Sequence, residues 1–224
     1  MTVQEAVVQR HSVRSYKPVP IEAEKLEALR REIDSCNAAG GLHIQLVTDE
    51  EKAFDGFLAR YGKFSGVRNY IALIGRKSSR LDESAGYYGE RLALFAQTLG
   101  LNTCWVGATF SRGAAKSRCA IDAGEKLVCV LALGYGEVRG EAHASRPVND
   151  LCVIKEKLPL WFENGMKAVL FAPTAMNQQR FLFSMDGTTV KAISTGGFYS
   201  KVDLGIVKYH FELGAGTEHF TWAE

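Results

Sequence analysis

Residues 127–133, Leu-Val-Cys-Val-Leu-Ala-Leu, form an almost unbroken apolar run. A strand buried on both faces reads this way, because neither of its faces alternates with solvent. Such a strand must be covered from both sides, so the surrounding sequence has to supply packed layers. Two shorter strand candidates, His43–Val47 and Tyr70–Ile74, precede it. Helical patterns lie between and before them. Residues 3–10 suit a short helix, and 21–35 a longer one with Leu26, Leu29 and Ile33 on one face. The segment YYGERLALFAQTLG places Leu92, Phe95 and Leu99 inward and stops at Gly100. Interleaved helices and strands predict a layered α+β (α/β) sandwich.

The pattern pauses around Pro147-Val148-Asn149-Asp150 and then resumes. PLWFENGMKAVLFAP reads as a helix, Phe181–Phe183 and Thr189–Ile193 as strands, and VDLGIVKYHFELGAGT as a last helix. At an offset of 114 residues this helix repeats the one ending at Gly100: Leu92 meets Ile206, Phe95 meets Tyr209, and Leu99-Gly100 meets Leu213-Gly214. A tryptophan follows each, Trp105 and Trp222. Any two amphipathic helices ending in glycine look partly alike, but the element order matches as well, which favours an internal duplication. The expected halves are residues 1–150 and a shorter, degenerate 151–224.

Several classes are disfavoured. A formal net charge of +2 offers no basic face for nucleic acid, and no stretch approaches the roughly 18 apolar residues of a membrane span. The N-terminus MTVQEAVVQRHSVRSY has polar and acidic residues where a secretory leader needs an apolar run. Five cysteines without a CxxC pair point to free thiols in the cytoplasm, and scattered histidines argue against a metal site. No P-loop, nucleophile elbow or GxGxxG fingerprint is present.

Three segments carry candidate chemistry. In RHSVRSY (10–16) an extended backbone puts Arg10, Ser12 and Arg14 on one face. Two guanidiniums around a hydroxyl suit a dianionic phosphate, although alone the pattern also fits a solvated basic stretch. GLNTCWVGATF (100–110) carries a small-residue turn, Gly107-Ala108, where backbone N–H groups can approach a ligand. GYGEVRGEAHASRP (134–147) brings Arg146 just before Pro147 as a candidate third cation, although Ser-Arg-Pro is usually loop. A polar turn, APTAMNQQ (172–179), follows the second-half helix.

Together these segments resemble the FMN-dependent nitroreductase family, whose marks are an N-terminal RHSVR, a GLxTCW segment, an Arg-Pro after the last strand of the domain, and an AP(S/T)AxNxQ turn. In that family two subunits share each FMN, one giving the phosphate cradle and the other the turn, which normally comes early in the chain. Here CNAAGG stands at the early position and the turn appears only in the second half, where VIKEKLPLWFENG shows no second RxSxR. The chain is thus similar to single-chain nitroreductases that fuse both subunits and keep one site.

The resemblance implies one FMN per chain, held by Arg10, His11, Ser12 and Arg14 with Arg146 assisting. Trp105, Val106, Gly107 and Ala108 would approach one ring edge, and Pro173, Thr174 and Ala175 the ring itself through backbone hydrogen bonds. Asn177 would meet its polar edge, and Gln178-Gln179 replaces the family's usual Gln-Pro-Trp. Met176, Phe198 and Tyr199 are expected to line the pocket by position. NAD(P)H would be the hydride donor, a nitroaromatic or quinone the acceptor, and no side chain need act as acid or base in the reductive half. A non-catalytic FMN-binding protein, for storage or sensing, is the alternative. A fused pseudo-dimer is compatible with a monomer, while further self-association stays open.

Overall fold

The computed structural model describes residues 1–153 and 157–223; residues 154–156, within the segment read as lacking a second cradle, and Glu224 lie outside it. The first part runs α1 (Val3–Gln9), α2 (Ala23–Gly40), β1 (Gln45–Val47), α3 (Phe57–Tyr61), β2 (Asn69–Arg76), α4 (Leu81–Thr98), β3 (Asn102–Val106), α5 (Arg112–Ser117) and β4 (Glu125–Gly134). The second runs α6 (Val148–Leu151), α7 (Leu160–Val169), β5 (Phe181–Asp186), β6 (Thr189–Ser194), α8 (Ser200–Ala215) and β7 (Thr221–Trp222). The GLNTCWV segment, not among the strand candidates read in the sequence, contains the strand β3. Pairing with β4 imposes that conformation on a sequence with little strand pattern of its own.

The larger sheet has the order β1-β2-β4-β3, antiparallel throughout. Its apolar run is buried from Leu127 to Leu133, and strand alternation divides it between two cores. Ile71, Leu73, Leu131 and Leu133 face a core made with the long helices. Tyr70, Ala72, Ile74, Val130 and Ala132 face a second core closed by Phe54, Phe64 and Phe110 from loops around α3 and α5. The first core continues without a break into residues 151–224, through Phe162, Met166, Phe183 and Phe211.

The smaller sheet has the order β5-β6-β7. Its first pair is antiparallel and its second parallel. In the larger sheet β2 and β3 each run antiparallel to β4, so they too point the same way. Both parts therefore present helix, antiparallel strand pair, long helix and returning strand, and among the described residues the second has no counterpart of β4.

Helices α4 and α8 join the two parts at a spacing that only glycine allows. A Cβ on Gly86 would stand 2.0 Å from the Val202 carbonyl oxygen, and one on Gly205 would stand 1.9 Å from that of Glu83. Both obstacles are backbone, which cannot rotate away. The Gly205→Ala variant is expected to lose about 3 kcal/mol or more in urea unfolding, through overpacking. Stability within about 0.5 kcal/mol of the parent would show that the helices do not need this approach.

Candidate functional site

Segment 10–16 lies extended beside β3: the Val13 N–H donates to Thr103 O at 3.1 Å, and the Tyr16 N–H to Ser65 O at 3.0 Å. This placement turns Arg10, Ser12 and Arg14 into one cavity of about 550 Å3, which also holds His11, Lys63 and His143. A neighbouring cavity of about 420 Å3 is lined by Trp105, Val106, Gly107 and Ala108 from the first part and by Ala175, Phe198 and Tyr199 from the second. Ser12, Arg14, Pro173, Thr174 and Met176 line both, so the two are ends of one cleft. One end is basic and the other apolar and largely aromatic.

At the basic end Arg10 is nearly enclosed, with 3% of its surface exposed. Its Nε lies 3.6 Å from Glu90 Oε1, yet neither Nε nor Nη1 has a hydrogen-bond partner among the described residues. Buried guanidinium N–H groups without acceptors are costly and mark a place where an anion fits. Burial, and then the neighbouring Arg10, hold the pKa values of His11 and His143 below the usual imidazole value. Both imidazoles are therefore neutral near pH 7, and the positive charge of this end comes from Arg10, Arg14 and Lys63. Lys63, held at φ 60°, carried no signal in the sequence. One carboxylate, Glu141, also borders this end.

Arg146 is not in the cleft. Its N–H donates to Gln179 Oε1 at 2.8 Å, and its guanidinium lies 3.6 Å from Asp150. It fastens the 140–146 loop to the polar turn instead of lining the cavity. The expectation of a further phosphate cation at this position is corrected accordingly.

The turn 172–179 is held by its own amides. Gln178 Nε2 donates to Phe198 O at 2.6 Å and to Asp203 Oδ2 at 2.9 Å. Gln179 is buried, donates from Nε2 to Ala144 O at 2.9 Å, and from its N–H to Thr174 Oγ1 at 3.1 Å. These bonds supply the rigidity that a proline would otherwise give. Met176, Asn177 and Gln179 are held at φ 52°, 52° and 46°, strained conformations that persist only where the surroundings enforce them.

Two expectations for this turn change. The Ala175 N–H is engaged by Asp203 Oδ1 at 2.9 Å. Asn177 borders the basic end rather than the aromatic one, with its carboxamide bonded to Ala144 O and Gln179. By contrast, the N–H groups of Gly107 and Ala108 donate to no backbone carbonyl among the described residues. The turn that carries them is fixed from behind. Arg112 donates to the carbonyls of Gly107, Leu127 and Val128, and Tyr199 Oη stands 2.9 Å from Gly107 O. The Tyr199 ring leaves no room for a Cβ on Gly107, the nearest carbon being 2.8 Å away.

Beneath the cleft a buried network ties its walls together. Glu90 Oε2 accepts from Trp105 Nε1 at 2.8 Å, and Oε1 lies 2.9 Å from His210 Nε2. His210 Nδ1 faces Ala168 O at 3.1 Å, so Nδ1 carries a proton. Elsewhere a single histidine, His43, gathers with Asp122 and Glu125 within 4.8 Å. His43 Nδ1 is already paired with Glu125 at 2.9 Å.

This sheet order, with a cleft between the two parts, defines a nitroreductase-like α+β protein. The family model described as "Putative TM nitroreductase" matches residues 2–215, and the chain belongs to that family. A "putative nitroreductase" from Thermotoga maritima superimposes with TM-score 0.64 at 21% identity, over 96% of this chain and 83% of that one. A "putative nitroreductase in complex with FMN" from Desulfovibrio desulfuricans gives 0.56 at 21% identity, over 71% of this chain and 99% of that one. A "Putative NADH dehydrogenase/NAD(P)H nitroreductase" from Bacteroides thetaiotaomicron gives 0.54 at 20%, over 66% and 95%. At such identities the likeness is one of fold. No curated protein matches the sequence. No helix among the described residues is long and apolar enough to cross a membrane.

Asp203, absent from the candidates read in sequence, is 2% exposed and lines the aromatic end. Burial pushes its carboxyl up to about 6 from an ordinary 3.8, against the pull of the Ala175 and Gln178 donors. With the folded pKa raised, the native protein holds a proton that the unfolded chain has released. This contribution to stability therefore falls as pH rises through that window. The wild-type stability minus that of Asp203→Asn, measured in urea, should fall by about 3 kcal/mol between about pH 4 and pH 7. A difference that does not change with pH would contradict the assignment.

Proposed function

We propose that the chain is an FMN-dependent oxidoreductase that takes hydride from NAD(P)H and reduces a nitroaromatic, quinone or similar acceptor. One observation carries this reading: the Nε and Nη1 of buried Arg10, partnerless among the described residues, stand at the basic end of a cleft whose other end is largely apolar and bordered by backbone N–H groups of Gly107 and Ala108 that donate to no described carbonyl. A phosphate fits the first and an aromatic ring system the second, so the residues present suit FMN. Arg10, Ser12, Arg14 and Lys63 would bind the phosphate through charge-assisted hydrogen bonds. Trp105 and Pro173 would flank the ring system, and Gly107 and Ala108 would offer N–H groups to its edge. Bound FMN supplies the hydride chemistry; the protein supplies binding, orientation and electrostatics. Tyr61 and Phe198, both solvent-accessible at the aromatic end, would form the apolar rim against which nicotinamide and acceptor dock in turn and which excludes water.

We also read the chain as a fused and reduced dimer. The repeated order of helix, antiparallel pair, long helix and returning strand supports this, with β4 lost from the second copy. So does the division of labour in the cleft, with the cradle in residues 1–150 and the turn in 151–224. Such a chain has internalised the twofold contact and works as a monomer with one FMN. Five free cysteines suit a reducing compartment, the cytosol.

The test is anaerobic addition of NADH or NADPH to the FMN-loaded protein. Bleaching of the flavin absorbance is expected; a yellow protein that neither nicotinamide bleaches would favour storage or sensing instead. Replacing Arg14 with alanine should weaken FMN binding by about 10- to 100-fold while leaving riboflavin binding unchanged. Equal losses for both ligands would remove the phosphate from this end of the cleft.

A further inference from the structure

Asp203 is a buried carboxylate without an ion pair among the described residues. Among the described residues its two oxygens accept only from the Ala175 N–H and the Gln178 amide, each at 2.9 Å. Removing a carboxylate from water without a counter-ion is costly, and such groups concentrate where a protein uses their protonation. Several ionisable groups around it are engaged or hold their protons more tightly. On β4 the Cys129 thiol is pushed far up by burial. The Tyr199 phenol, on the residue preceding α8, is raised as well and bonded to backbone carbonyls. Arg112, from α5, is engaged by three carbonyls and Tyr199. Asp82 of α4 is paired with Lys126, and Arg14 lies where the aromatic end meets the basic one.

We propose that Asp203 is the proton reservoir of the cleft, taking up a proton as two electrons enter the cavity and passing it to the acceptor. This rests on the FMN reading above. Negative charge arriving in a water-poor cavity raises the proton affinity of a nearby carboxylate. When a quinone-type acceptor then receives two electrons as hydride, derived from the dihydronicotinamide, its oxygen needs a proton. The Asp203 O–H bond breaks, an O–H bond forms on the acceptor, and the carboxylate left behind is reprotonated from solvent. A merely structural Asp203, fastening the 174–178 turn, would not couple proton uptake to electron uptake.

The experiment is a spectroelectrochemical titration of the FMN-loaded wild type and Asp203→Asn from about pH 5.5 to 8.5, after flavin content is measured in each. The wild-type potential should fall more steeply with pH by one proton per two electrons. That is tenfold in the reduction equilibrium constant per pH unit, or about 30 mV. Equal slopes with flavin bound in both proteins would overturn the proposal. Where the variant does not retain flavin, infrared difference spectra of the wild type decide. Reduction should create a protonated-carboxyl stretch that shifts with carboxyl-13C aspartate, and its absence overturns the proposal. A wild-type protein that holds no FMN would overturn the functional reading, and this assignment with it.

Discussion

The close approach of α4 and α8 is the contact on which the cleft depends. The carbonyl of Glu83 fills the space a Cβ would take on Gly205, and that of Val202 fills the space on Gly86. At this spacing two further ties become possible. Glu90 of α4 reaches His210 of α8, and Lys208 of α8 pairs with Glu83. Because β3, the cradle and α4 belong to the first part, and α8 with its preceding turn to the second, this one contact sets the distance between the cleft's opposing walls.

Electrostatics then gives the cleft a direction. Arg10, Arg14 and Lys63 make one end cationic, while Asp203 sits at the other with no ion pair among the described residues. Glu90 is fully enclosed and is kept so by its neighbours: Trp105 donates to it, His210 abuts it, and Arg10 stands near enough to offset its charge. Breaking such a buried cluster by removing one member generally costs about 3–5 kcal/mol. Glu90 therefore serves the site indirectly, by holding in place an arginine and a tryptophan that both face the cleft.

Much of this was legible in the sequence. The run 127–133 became a strand with a core on each face, and the long helices and the strands at 69–76, 181–186 and 189–194 fell near their expected places. The spacing of Arg10, Ser12 and Arg14 placed three side chains on one face, because an extended segment alternates faces whatever lies beside it, and all three line one cavity. What escaped were groups whose role comes from packing between distant segments. Arg146 looked like a cation for the cleft, but its partners, Gln179 and Asp150, are known only once the loop is folded. Asp203 and His210 did leave a trace. In α8 they share the buried stripe with Ile206, Val207 and Phe211, and a charged or polar residue on an apolar stripe is the signal that would have found them. Glu90 sits likewise on the buried face of α4.

The measurement that tests this account most directly is the amount of FMN released per chain from reconstituted protein, with the mass of the particle determined in the same sample. One flavin per 24.6 kDa monomer is what the proposed fused-dimer reading predicts, since it assigns the cradle to residues 1–150 alone and the turn to residues 151–224 alone. Two flavins per chain would contradict the loss of the second site, and none would contradict the reading of the cleft itself.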